Sequence, residues 1–225
     1  MKLIFANRNY SSWSMRPWLV ASHFGIPFEE ELALLGGEGW QENIRRKSPS
    51  GRVPVLVDGD LVIPETIAII EYLAEIFPDR PIWPADRRAR ALARAASAEM
   101  HAGFAALRRA APMNLRGYFP GRINYDEIES DLRRIEELWG EALDRSGGPY
   151  LFGEFCAADA MYAPVASRIR TYDLPVSDTA AGYVEAIYAL PAFQAWLAEA
   201  IKEPWIVESD EIDYIQARAK ANGPA

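Results

Sequence analysis

The stretch from Ser50 to Tyr72 reads SGRVPVLVDGDLVIPETIAIIEY and contains the signals for two strands and a helix in direct succession. The apolar runs 53–57 and 61–63 flank Asp-Gly-Asp at positions 58–60, which is a strong hairpin signal. Pro54 removes a hydrogen bond from its strand, so we expect a kinked or cis junction there. Such a junction turns the backbone N–H and C=O of Val53 outward, where an extended peptide can pair with them.

The helix that follows the hairpin is predicted to span 65–77 and begins next to Pro64. The first N–H groups of a helix lack partners and carry partial positive charge, so they attract anions. Here they lie beside the carboxylate of Glu65 and the hydroxyl of Thr66. The head group of an amino acid, with one carboxylate and one ammonium group, fits this combination.

The residues before the hairpin complete a mixed α/β pattern. Residues 2–6 suit a buried strand, 7–14 a polar turn, and Met15, Trp18 and Leu19 the apolar face of a helix. A second strand over 28–34 and a short helix through Trp40 and Ile44 follow. The predicted order is therefore βαβαββα.

Beyond Phe77 the pattern changes. Pro78, Pro81 and Pro84 indicate a stiff connection, after which strand signals almost vanish. Apolar stripes with helical spacing predict helices over 86–111, 126–145, 158–170, 179–188 and from Pro191 to Ile201. We therefore predict an α/β domain over 1–78, a linker over 79–86 and an all-helical domain over 87–225.

Two neighbouring serines, Ser11 and Ser12, lie between the first strand and the first helix. A serine in this position is either a helix N-cap or a hydrogen-bond donor to a ligand beside Val53. A hydrogen bond to a charged group is worth about 1.5–3 kcal/mol. One hydroxyl can therefore lower the pKa of a bound thiol by roughly one to two units.

Together these motifs resemble the cytosolic glutathione transferases, in particular a bacterial, zeta-like serine type. The resemblance implies a thioredoxin-like N-terminal domain, a helical C-terminal domain and a homodimer. It also implies that Val53 and Pro54 hold the cysteinyl backbone of glutathione and that Glu65 and Thr66 hold its γ-glutamyl end.

The same resemblance assigns roles to residues near the first helix and the hairpin. Ser11 corresponds to the serine that stabilises the glutathione thiolate in zeta-class enzymes, with Ser12 as the alternative. Arg52 is either a partner for the glycyl carboxylate or an exposed arginine. Trp13 stands where zeta-class sequences commonly carry Cys, which argues against zeta-type isomerisation and against a protein thiol as the reactive group.

The implied activity is conjugation of glutathione, as co-substrate, to small electrophiles. The alternatives are a zeta-type glutathione-dependent isomerase and a non-catalytic binding or stress scaffold. The first long helix of the second domain faces the electrophile pocket in this family, so the resemblance also gives candidate contacts of the electrophile: Met100, His101, Phe104, Arg108, Met113, Asn114 and Arg116. The identity of that electrophile stays open.

Composition excludes several other functions. The chain has 24 basic and 32 acidic residues and a net charge of −8, which disfavours nucleic-acid binding. No apolar run reaches the about 18 residues that suggest a membrane helix, so we expect a soluble, cytoplasmic protein. The single Cys156 cannot form an intrachain disulfide, and His23 and His101 lack metal-ligand spacing, so we expect no metal.

Overall fold

A four-stranded mixed sheet forms the N-terminal part of the protein in the computed structural model, which describes residues 1–216. Its elements follow the predicted βαβαββα order: β1 Lys2–Phe5, α1 Ser12–His23, β2 Glu29–Leu32, α2 Trp40–Lys47, β3 Val55–Asp58, β4 Leu61–Pro64 and α3 Thr66–Ile76. The thioredoxin-like fold predicted from the sequence is confirmed.

Strand β1 lies inside the sheet because both of its faces are covered. Leu3, Ile4 and Phe5 are all buried. The spatial order is β2-β1-β3-β4, with β1 parallel to β2 and antiparallel to β3. The loop after β1, which carries the two serines, therefore lies next to the entry of β3, which carries Val53.

β1 and β4 differ from their predicted bounds by one residue each, and the other two strands differ by more. The predicted strand over 28–34 is regular only over Glu29–Leu32, since β2 is an edge strand that pairs with β1 alone. The strand predicted over 53–57 begins at Val55, because the Val53–Pro54 peptide bond is cis and Pro54 has no N–H to donate. The expected kink thus lies just outside the sheet.

Helices make up the regular structure after α3. They are α4 Arg87–Ala102, α5 Ala105–Ala110, α6 Glu129–Ser146, α7 Ala157–Tyr172, α8 Asp178–Ala189 and α9 Pro191–Ala200, with short 3-10 helices at Tyr125–Glu127 and Glu208–Asp210. In α7 every residue except Arg170 is buried, which marks α7 as the core of the helical part. It packs against α1, α4 and α8, so it joins the two parts of the molecule.

The prediction of a single helix over 86–111 is wrong, because the helix is interrupted at Gly103 and Phe104, between α4 and α5. Gly103 leaves the helix in an extended conformation, and Phe104 adopts a left-handed one with φ 56°. A Cβ atom on Gly103 would lie 2.8 Å from the carbonyl oxygen of Glu99, so a larger residue fits there only if the backbone moves. The break redirects α5, and the site depends on this change of direction.

The limits 1–78, 79–86 and 87–225 stay predictions, and the last includes residues 217–225, which lie outside the described part. Across residues 1–216, no helix combines the length and the apolar character needed to cross a membrane.

Candidate active site

A cleft of about 600 Å³ lies between the sheet domain and the helices. It brings together Ser11, Ser12, Arg52 and Val53, which the sequence predicted as site residues. Pro54, Glu65 and Thr66 are not among its lining residues. The full lining is Tyr10, Ser11, Ser12, Trp13, Leu35, Trp40, Ile44, Gly51, Arg52, Val53, Ala105, Arg108, Arg109, Pro112, Met113, Arg168 and Asp210.

Ser11 is the N-cap residue of α1, but its side chain does not cap the helix. Its Oγ instead donates to Oγ of Ser14 at 2.8 Å. The Ser14 hydroxyl also accepts a hydrogen bond from the backbone N–H of Ala6 at 3.1 Å. The proton of Ser11 is therefore already engaged in a buried network that joins β1 to α1.

Ser12 is the first residue of α1, and its hydroxyl is free. Its backbone N–H donates to the carbonyl of Tyr10 at 3.0 Å, but its Oγ has no hydrogen-bond partner within residues 1–216. The residue is 8% exposed and lines the cleft. Of the two serines, Ser12 thus holds the hydroxyl that a ligand can use without breaking an existing bond.

The Val53–Pro54 junction offers backbone groups near these hydroxyls. Neither the N–H nor the C=O of Val53 has a partner among the described residues. The carbonyl of Pro54 accepts the N–H of Glu65 at 3.4 Å, which ties the junction to the start of α3. This arrangement leaves the backbone N–H and C=O of Val53 available to pair with an extended ligand.

The start of α3 is held by its own side chains. Glu65 has φ 98°, an unusual value for a residue with a side chain, and its carboxylate accepts the N–H of Ile67 at 3.0 Å. The Thr66 hydroxyl donates to the carbonyl of Trp13 at 3.0 Å. The second Glu65 oxygen lies 3.5 Å from Nδ1 of His101. Glu65 and Thr66 therefore lie beside Trp13, at the margin of the cleft.

Trp13 fills the space between α1, α3 and the helical domain. Its ring has the guanidinium of Arg16 at 4.1 Å, that of Arg108 at 5.4 Å and the ring of His101 at 5.2 Å. Arg16 is fully buried, and burial holds the pKa of its guanidinium well below the usual value. Its Nε donates to the backbone carbonyl of Met161 in α7 at 2.9 Å. Arg16 therefore joins α1 to the helical domain.

Arginines dominate the charge of the cleft. Arg52, Arg108, Arg109 and Arg168 line it, and none of them forms an ion pair within residues 1–216. The only acidic side chain in the lining as described is Asp210. The cleft therefore suits an anionic ligand.

Sequence reasoning missed Arg168. The residue is 4% exposed, and burial lowers the pKa of its guanidinium to about 10. Its Nε and Nη1 donate to the carbonyls of Ala111 at 2.7 Å and Pro164 at 2.9 Å. The sequence did contain a signal for Arg168: it is a charged residue in a helix, α7, whose other residues are mostly apolar or small.

Asn114 and Arg116 lie behind the cleft and hold the loop before α1. The Asn9 side chain donates to Oδ1 of Asn114 at 3.0 Å, and Arg116 donates to the Tyr10 hydroxyl at 2.8 Å. Tyr10 in turn donates to Glu211, and its pKa is raised by burial and by that carboxylate. These residues position the loop, and His101 contacts Trp13 and Glu65. Of the candidate electrophile contacts, Arg108 and Met113 line the cleft, whereas Met100, His101, Phe104, Asn114 and Arg116 do not.

No group of three or more His, Cys, Asp or Glu side chains in the described part of the chain is arranged to hold a metal ion. What the site offers is a free hydroxyl, the unpaired backbone N–H and C=O of Val53 and several arginines. Such groups can bind a peptide-like anion and stabilise a negative charge on it.

Comparison with known proteins agrees with this geometry. Residues 10–76 match the family described as "Glutathione S-transferase, N-terminal domain". "Glutathione S-transferase Z1" of Arabidopsis thaliana is 31% identical over 207 residues, which cover 86% of this chain and 90% of that protein. "Probable maleylacetoacetate isomerase" of Caenorhabditis elegans is 29% identical over 195 residues, covering 84% of this chain and 88% of that protein.

Among solved structures, a glutathione transferase homologue from Burkholderia gl BGR1 with bound glutathione has a TM-score of 0.65. It is 27% identical and covers 88% of this chain and 96% of that one. Fold and cleft together define a two-part protein with a thioredoxin-like domain and a helical domain. The chain belongs to the glutathione S-transferase family, and its relatives place it with the zeta-like members.

Proposed function

We propose that this protein binds glutathione in the cleft, stabilises its thiolate with a serine hydroxyl and transfers it to a small electrophile. One observation carries the proposal. Ser11, Ser12, Arg52 and Val53 come from separate parts of the sequence and line one cleft.

Glutathione fits the groups on that side of the cleft. The free N–H and C=O of Val53 suit the cysteinyl backbone, and Arg52 suits the glycyl carboxylate. The γ-glutamyl end reaches Glu65 and the backbone N–H of Thr66, which has no partner in the described part. An extended tripeptide bound at Arg52 and Val53 would also extend to the start of α3. Glu65 and Thr66 therefore contribute to binding although they lie at the margin of the cleft.

Thiolate stabilisation falls to Ser12 or Ser11. The free Ser12 hydroxyl can donate at once, whereas Ser11 must first release Ser14. Both lie at the N-terminus of α1, whose dipole also favours the thiolate. We expect Ser12→Ala to raise the pKa of bound glutathione by roughly one to two units. Ser11→Ala should have a smaller effect, and the double variant the largest.

The test is the pH dependence of turnover and of thiolate absorbance for these variants with glutathione and a series of small electrophiles. Ser22→Ala is the matched control, because Ser22 lies near the other end of α1 and outside the cleft. Full turnover in the double variant would contradict the assignment. Absence of glutathione binding by calorimetry would instead favour a non-catalytic scaffold.

A second candidate is a zeta-type glutathione-dependent isomerase, and the arginines favour it. A carboxylate substrate such as maleylacetoacetate fits a cleft with Arg108, Arg109 and Arg168. Trp13 counts against this candidate, since it fills the position of the usual cysteine. Fast isomerisation of maleylacetoacetate together with slow conjugation would decide for the isomerase.

We also propose a homodimer acting in the cytoplasm. Several apolar side chains on three elements are exposed: Leu61 and Val62 of β4, Ile76 of α3 and Leu92 of α4. A two-fold contact would bury them. Sedimentation of the wild type and of Leu92→Glu tests this, and a monomeric wild type would contradict it.

A further inference from the structure

Asp210 is the one carboxylate that the described part of the chain places in the lining of the cleft. It belongs to the 3-10 helix Glu208–Asp210, close to the C-terminal end of the described residues. It faces the end of the cleft formed by the helical domain, where Arg168 lies. A negative charge is thus built into a site whose other charged lining residues are all arginines.

The segment around Asp210 is shaped by a local turn and anchored by the next residue, Glu211. The N–H of Asp210 donates to the carbonyl of Val207 at 2.9 Å. The Glu211 carboxylate accepts from the Tyr10 hydroxyl and, at 3.2 Å, from the Asn114 side chain. Asp210 therefore cannot leave the cleft unless these bonds break.

Asp210 is not locked onto an arginine. No ion pair within 4.0 Å involves it in residues 1–216, although Arg168 attracts its charge. The charged and titratable groups around it are Arg168 and Tyr172 of α7, Arg108 and Arg109 of α5, Tyr10 of the loop before α1, and Glu208 and Glu211 of its own segment.

We propose that Asp210 selects the electrophile by charge, because a carboxylate can bind against Arg168 only when Asp210 takes up a proton from solvent. A second negative charge in this half-buried space repels the first, and protonation of Asp210 removes the repulsion. The inference rests on the proposed function, since it concerns the electrophile end of the same cleft. Electrophiles without a carboxylate need no such proton.

The pKa of Asp210 suits this role. Burial raises it from the ordinary value near 3.8 to about 6, with a further contribution from Glu211 and an opposing one from Arg168. A bound carboxylate raises it further. Below about pH 6 the proton is already present, and above that pH each bound carboxylate must bring in close to one proton.

The experiment compares two glutathione conjugates that differ in one charge, S-methylglutathione and S-carboxymethylglutathione. Their dissociation constants are measured by calorimetry from pH 5.5 to pH 7.5, in pairs of buffers with different ionisation enthalpies. We expect the dissociation constant of S-carboxymethylglutathione, divided by that of S-methylglutathione, to rise about tenfold or more from pH 5.5 to pH 7.5. Proton uptake should accompany binding of the carboxymethyl conjugate and should not accompany binding of the methyl conjugate.

Asp210→Asn should make this ratio independent of pH and lower it at pH 7.5. Asp213→Asn is the matched control: it changes the same charge in the same segment, but Asp213 is exposed and lies outside the lining. Asp213→Asn should behave as the wild type does. A ratio that does not vary with pH in the wild type, or that varies equally in Asp210→Asn, would overturn the inference.

Failure of the proposed function is recognised separately. If neither conjugate binds, glutathione binding is disproved, and succinate alone then serves as the probe. Proton uptake on succinate binding that is lost in Asp210→Asn would still support the role of Asp210. Succinate binding without proton uptake, or no succinate binding at all, would refute it.

Discussion

The carboxylate of Glu203 accepts a hydrogen bond from the backbone N–H of Asn9 at 3.1 Å, although the two residues are 194 positions apart. Its other oxygen accepts the N–H of Arg8 at 2.8 Å. The segment after α9 therefore holds the loop that carries Ser11 and Ser12. Because Glu203 is only 8% exposed, water cannot readily replace it as the acceptor.

Replacing Glu203 should loosen this loop. Glu203→Gln keeps one acceptor oxygen but turns an NH₂ group toward a backbone N–H, which leaves one buried donor unpaired. We expect the free energy of unfolding to fall by about 1–3 kcal/mol and turnover to fall with it. Denaturant unfolding and glutathione kinetics measure the two effects. Glu208→Gln is the control, because that side chain is exposed, and equal losses in both variants would contradict the role of Glu203.

Cys156 occupies the N-cap position of α7, where a hydroxyl would be the better acceptor. Asp159 accepts the N–H of Cys156 at 2.9 Å, and the Cys156 thiol completes the capping box as a weak acceptor of the backbone N–H of Asp159. We expect Cys156→Ser to raise the free energy of unfolding by about 0.5–1 kcal/mol. Cys156→Ala should give no such gain, and thermal unfolding of both variants would show the difference. Equal melting temperatures would mean that the cap is unimportant here.

The N-terminal fold could be predicted because its signals are local. Asp58-Gly59 favours a hairpin turn, and Pro54 ends the ladder of strand hydrogen bonds because it has no N–H. Both effects depend only on the backbone of the residues concerned. Ser11, Ser12 and Val53 could be found for the same reason, since they lie next to such signals. Their meeting in one cleft follows from the adjacency of β1 and β3.

Other parts of the site depend on tertiary contacts that periodicity does not reveal. The apolar stripe over 86–111 continues through Gly103, so nothing in the spacing indicates that Phe104 turns left-handed. Glu203 and Asp210 follow α9, where no apolar periodicity points to them. Glu203 bonds to Asn9 and Asp210 lies near Arg168, and both of these residues are distant in sequence. Ser12 could not be preferred to Ser11 before the bond from Ser11 to Ser14 was known.

Asp159 should make stability depend on pH. It is fully buried, and burial raises the pKa of its carboxyl from about 3.8 to about 6. Between these values the folded protein holds a proton that the unfolded chain has lost, so the free energy of unfolding falls as pH rises and levels off above about 6. The contribution is about 3 kcal/mol.

Denaturant unfolding from pH 4 to pH 7 measures this dependence in the wild type and in Asp159→Asn. In Asp159→Asn the free energy of unfolding should depend much less on pH. The part of the pH dependence that is due to Asp210 should remain. Asp173→Asn is the control because Asp173 is exposed. Parallel curves for wild type and Asp159→Asn would show that Asp159 does not titrate in this range.

Gly103 should be a sensitive glycine of the helical domain. A Cβ atom there meets the Glu99 carbonyl at 2.8 Å, so Gly103→Ala must move the end of α4 or the start of α5. We expect a loss of about 1–3 kcal/mol in the free energy of unfolding. Because α5 carries Arg108 and Arg109 into the cleft, weaker binding of anionic ligands should follow.

Gly140→Ala provides the opposite expectation within the same domain. Gly140 lies inside α6, and no atom lies within 4 Å of an added Cβ. Alanine should therefore stabilise the protein by about 0.5–1 kcal/mol, because glycine loses more conformational freedom in a helix. Thermal unfolding and binding of S-carboxymethylglutathione are measured for both variants. Stabilisation by Gly103→Ala, or unchanged anion binding despite its destabilisation, would show that the break does not set the position of the two arginines.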